Sequence, residues 1–177
     1  TYLYAEKNAT IHLLQIQLLS EDALHFNDIG AVIYDGGAIN LVHAELGGKK
    51  AYNGCKADLE GSNSSIHLDT IYFGDQKRDI DINYVMNHYG KNSNSQIHVN
   101  GALLDESSKT FRGTIDFKKG AVGAIGQEEE YNLLFSPKIK NLTAPIILCA
   151  EEDVEGKHGA SSGKIDENTL FYMMSRG

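Results

Sequence analysis

The chain has 177 residues, 41 % of them hydrophobic and 23 % charged, which suits one domain with a packed core, or one domain plus the start of another. Its net charge of −8 argues against a general nucleic-acid binder and against an anionic membrane surface as partner, because both need basic patches. No run approaches the roughly 20 apolar residues of a membrane span.

At the start, Thr1 to Ala9 lacks a basic segment followed by an apolar run, so no signal peptide is expected. From about residue 10 to residue 150 the pattern is β. Apolar or alternating runs recur at His12 to Leu19, Ala31 to Tyr34, Ile39 to Leu46, Ala51 to Leu59, Ile66 to Phe73, Ile80 to Met86, Gln96 to Leu104, Phe111 to Phe117 and Ile146 to Cys149. Clusters such as Asp35-Gly36-Gly37, Gly47-Gly48, Glu60-Gly61-Ser62-Asn63 and Gly90-Lys91-Asn92-Ser93-Asn94 separate them as turns. This spacing fits a sandwich, a barrel or a β-solenoid with two strands per coil, and periodicity alone does not choose among them. Ala121 to Glu130 reads as a loop leading into a further strand at Tyr131 to Phe135. The acidic runs Glu128 to Glu130 and Glu151 to Asp153 read as solvated faces. Near the end, Asp166 is placed as an N-cap, Glu167 adds first-turn negative charge, and Leu170 to Met174 is an apolar helical run. Thr1 is not an initiator Met and the chain stops straight after that helical pattern, so it reads as a fragment of a longer protein. The expected division is a β core over 1–150, then a loop and the first helix of a truncated helical segment over 151–177.

Cys55 and Cys149 are too few for a disulfide framework, and a reduced, cytoplasmic setting follows. In apolar strands each reads as a small buried hydrophobe. Gly159-Ala160-Ser161-Ser162-Gly163-Lys164 superficially resembles a phosphate loop. Its glycine spacing is one residue short and Ile165 stands where a Mg²⁺-binding Ser or Thr belongs, so nucleotide binding is rejected. The histidines other than His158 form no ligand pair at i, i+2 or i, i+4 and read as surface or satisfied strand residues. Stacked coils would allow His88 and His98 to align. No nucleophile elbow is present.

The last third of the chain resembles the SufB/SufD family of the SUF iron–sulfur assembly machinery. The resemblance is carried by Asp153-Val154, His158-Gly159-Ala160, Gly163, Leu170-Phe171-Tyr172 and Ser175-Arg176-Gly177. Upstream, Phe111-Arg112-Gly113-Thr114-Ile115, Tyr131-Asn132-Leu133-Leu134-Phe135-Ser136 and Pro145 match the same family. The match covers about residues 105 to 177, and His-Gly-Ala favours the SufD branch. It implies a right-handed parallel β-helix followed by a helical subdomain. It further implies a non-enzymatic scaffold that pairs with a SufB-like subunit and a SufC-like ATPase. The free sheet edge of such a β-helix can pair with a second copy around a two-fold axis, so the isolated chain is expected to form a homodimer. Truncation at Gly177 would remove most of the helical segment that docks the ATPase. No tightly bound cofactor is implied for this fragment; iron or a nascent iron–sulfur cluster would pass transiently through the complex.

His158 is the residue to which the resemblance assigns a role in cluster assembly at a subunit interface. Neutral imidazole is a ligand suited to iron. The competing reading is a local hydrogen bond that orders the turn before the helix. Gly156 stands where relatives carry a Cys, the usual iron–sulfur ligand, which favours a partner-completing role. Two other functions compete with the scaffold. A β-helical carbohydrate lyase or hydrolase would need a groove lined with aromatic platforms, and the chain has no Trp. A cupin-type metal barrel would need a His-x-His motif, which is absent.

Overall fold

The computed structural model describes residues 1–165 and 167–177, and of Glu167 the backbone alone. Twelve strands build two six-stranded sheets, and every strand pairing is parallel. One sheet takes the odd strands in the order β1 (Tyr2–Ala5), β3 (Leu24–Ile33), β5 (Lys50–Leu59), β7 (Asp79–His88), β9 (Ser108–Phe117) and β11 (Lys140–Cys149). The other takes β12 (Val154–Lys164), β10 (Ala124–Leu134), β8 (Asn94–Leu103), β6 (Ser65–Gly74), β4 (Ala38–Glu45) and β2 (Thr10–Gln17). The chain thus alternates between sheets, two strands to a coil, and each strand pairs with the strand two places on. This is a parallel β-helix, as the resemblance implied. A short helix, α1 (Glu167–Met174), follows β12. The N-cap expected at Asp166 and the charge of the Glu167 side chain lie outside the described residues.

Each coil takes about 29 residues, within the range of solenoid repeats. Ile11, Ile39, Ile66, Ser95, Gly126 and Gly156 stack in one column across the six even strands. Alternate side chains of each strand point to opposite faces, so each sheet sends one set inward. Ile29, Ile33, Leu59, Ile82 and Phe111 from one sheet pack with Leu41, Leu68, Ile97 and Val99 from the other in one continuous core.

The corners repeat as well. Asn8, Gly36, Asn63, Asn92 and Gly123 all have positive φ, between 54° and 74°. Each donates its backbone N–H to the carbonyl of the next coil's corner, at 2.7 to 2.9 Å. Glycine reaches this left-handed region without steric cost, and Asn tolerates it better than most residues.

The structure extends the expected strands in five places. Strand β1 was not expected, β3 starts at Leu24 rather than Ala31, and β11 starts at Lys140 rather than Ile146. Strand β11 runs through Pro145. Because β11 is an edge strand, a missing backbone N–H can be tolerated there. Strand β10 begins at Ala124, in a stretch read as loop, and the loop expected after residue 150 is largely strand β12. The last two corrections have one cause. Strand β10 buries carboxylates inward, and β12 is an edge strand among the described residues, so neither carries the apolar signal of a central strand.

Candidate functional site

Gly156 fixes which way β12 faces. A Cβ placed on it would meet Phe117 Cε2 at 3.1 Å and Ile147 at 3.3 Å, so position 156 points at the opposite sheet. By alternation His158, Ala160 and Ser162 point the same way. His158 lies in register with Glu128, at the end of a column that runs through Leu41, Leu68 and Ile97. In the opposite sheet, Cys149 ends a column through Leu59, His88 and Phe117. Both columns terminate at the open C-terminal end of the β-helix, where His158 and Cys149 are exposed. Cys149 was expected to be buried. It is exposed because β11 is the last strand of its sheet; its thiol donates to the Glu151 carbonyl at 2.9 Å. Cys55, in a middle coil, is buried as expected, and burial pushes its thiol up to about 12.

Behind this end the interior turns polar. Glu128 and Glu130 are 2 % and 1 % exposed. The reading of Glu128 to Glu130 as a solvated face is therefore corrected: only Glu129 lies on the outer face. Lys109, from β9, is fully enclosed and pairs with Glu130. The Lys109 ammonium also donates to Thr143 Oγ1 at 3.0 Å. Burial lowers the Lys109 pKa, and the Glu130 contact only partly opposes this. Glu128 has no cation beside it among the described residues. Burial first, and the neighbouring Glu130 charge second, push its carboxyl up to about 7. Gly113 makes room for it: a methyl group there would meet the Glu128 carboxyl oxygen at 1.9 Å. This gives a physical reason for the glycine in the Phe111-x-Gly113-x-Ile115 motif.

Of the other histidines, His88 is fully buried and satisfied, with Ser93 Oγ and Ser95 Oγ each 2.8 Å from a ring nitrogen. Burial lowers its pKa to about 4. His88 and His98 do not align, because they belong to different sheets. The glycine-rich stretch at 159–164 is part of β12, not a phosphate-binding loop.

Compared with known proteins, all 177 residues match the family described as the SUF system FeS cluster assembly, SufBD core domain. The chain belongs to the SufBD core family. It is 38 % identical over 90 residues to an iron–sulfur cluster assembly protein SufD of Bacillus subtilis, covering 51 % of this chain and 21 % of that protein. It is 26 % identical over 171 residues to the SufD of Escherichia coli, covering 96 % of this chain and 40 % of that protein. The chain therefore spans well under half the length of these SufD relatives. No described helix is long and apolar enough to cross a membrane.

Proposed function

We propose that this SufBD core is the centre of a SufD-like, non-enzymatic subunit that acts in the cytoplasm. In this reading it pairs with a SufB-like chain, works with a SufC-like ATPase, and dimerises with itself when no partner is present. The observation that carries the reading is the bare edge of β12 at the open end of the β-helix, with His158 on its inward face. An edge strand offers unpaired N–H and C=O groups that a second chain can join. A self-pair would use the same edge twice around a two-fold axis. Iron or a nascent cluster is the cargo. His158 offers it an imidazole and Cys149 a thiolate, while Gly156 offers nothing, so the partner must complete the ligand set.

Light scattering on the isolated chain at micromolar concentration is expected to report a dimer. Lysines at Ser161 and Gly163, on the outer face of β12, are expected to shift it to monomer, because charged side chains blunt strand edges. Mixing with SufB-like and SufC-like chains is expected to give a complex that survives His158→Ala but delivers clusters more slowly. A wild-type chain that stays monomeric and captures neither partner would sink the reading.

A further inference from the structure

Outside the open end, the outer face of the even-strand sheet gathers a second set of ligand-type side chains. His67 and Asp69 are two residues apart on β6 and so share a face. The register sets Asp69 beside His98 of β8, and His98 beside Glu129 of β10. His67 Nε2 lies 2.9 Å from Asp69 Oδ2, and His98 Nδ1 lies 3.1 Å from Asp69 Oδ1. The two imidazole rings meet edge to face, 5.1 Å apart. One donor atom from each of His67, Asp69 and His98 falls within 4.8 Å of the others.

We propose that His67, Asp69 and His98 bind a divalent first-row transition ion of the Zn²⁺ or Fe²⁺ class. Two imidazoles and a carboxylate are a donor set for such ions, and Mg²⁺ or Ca²⁺ would call for oxygen ligands instead. Metal–ligand bonds of about 2.0–2.2 Å need the three donors drawn in by a fraction of their present separation. Glu129 serves as the outer carboxylate. Its Oε2 is 4.0 Å from His98 Nε2, the nitrogen left over when Nδ1 faces the ion. Drawn in from there to hydrogen-bond distance, a carboxylate in that place would fix the ring and strengthen it as a ligand. Gln127 Nε2 holds Glu129 by a hydrogen bond of 2.6 Å. Among the described residues neither Asp69 nor Glu129 pairs with a Lys or Arg, so no cation competes for the site. All four side chains are between 31 % and 39 % exposed, which leaves a path in for the ion and an open coordination position for water. The site lies on the opposite face of the sheet from His158 and does not depend on the assembly reading.

The test is a calorimetric titration with Zn²⁺ in a Cys149→Ser, His158→Ala background, which removes the donors of the open end. One ion per chain is expected, unaffected by excess Mg²⁺. Adding His67→Ala or His98→Ala should weaken binding more than 100-fold, and Glu129→Gln about 10-fold, as for an outer-shell ligand. Co²⁺ should give the visible absorption of a nitrogen-ligated ion, lost in Asp69→Asn. Circular dichroism melts identify variants that still fold, and Asp69→Asn is the conservative one. No saturable binding by the background chain would overturn the proposal. So would equal binding by a folded His67→Ala/His98→Ala variant.

Discussion

Replacing Lys109 by Met is expected to cost about 3–5 kcal/mol of stability, read as a fall in the urea midpoint. The reason is the carboxylate left behind. Lys109 and Glu130 are both fully enclosed and pair with each other between the two sheets. Methionine fills much the same volume, so packing is largely kept while Glu130 loses its cation in a low-dielectric interior. The second half of the prediction separates charge from packing. Adding Glu130→Leu and Thr143→Val is expected to restore most of the loss, since well-packed apolar replacements of buried ion pairs are often neutral or stabilising. A combined variant no more stable than Lys109→Met would show that shape at this end, not charge pairing, sets the cost.

The second large effect is a stability curve pulled down from both sides by two buried groups. Folded His88 takes its proton only near pH 4, whereas the unfolded chain takes it near 6.5. Acidification through that window favours unfolding, by about 3 kcal/mol in total. Glu128 works in the opposite direction. Folded, it keeps its proton up to about pH 7; unfolded, it releases it near 4.5. Its protonated form favours the fold, and that contribution of about 3 kcal/mol is lost as pH rises from 4.5 through 7. Glu128→Gln keeps the shape and removes the charge. It should raise the melting temperature at pH 8 and leave it nearly unchanged at pH 4.5. His88→Gln should flatten the fall between pH 6.5 and 4. A Glu128→Gln variant with the same gain at both pH values would show that ionisation is not the source.

These groups also mark where the amino-acid pattern stopped being informative. The middle coils were legible as strands: burial alternates along Ile66 to Phe73 and Ile80 to Met86, and a covered coil lies on each side of them. The C-terminal coil was not. Glu128 and Glu130 look like surface acids until the Lys109 contact and the space above Gly113 are known, and both come from β9, the preceding strand in the opposite sheet. The exposure of Cys149 reflects its place on β11, the edge strand of its sheet among the described residues. His158 was singled out by likeness to a family, and its inward direction became clear only from the contacts of Gly156. The His67, Asp69 and His98 group was not legible because its two histidines are 31 residues apart along the chain (98 − 67) and meet only across neighbouring strands. A His-x-Asp on one strand was in plain view, but its third member sits 29 residues on in sequence and one strand over in space.

The stacking of corner on corner, from Asn8 to Gly123, has a consequence for how the molecule comes apart. Each coil is held mainly by the ones above and below it, so in this chain the two end coils have one stacked neighbour and the middle coils two. Amide protons of β5 to β8 should then outlast those of β1 and β12 in deuterium exchange, with loss creeping inward from either tip. A second chain seated on β12 would give that last coil the neighbour it lacks, and its backbone would become as slow to exchange as the middle of the rod.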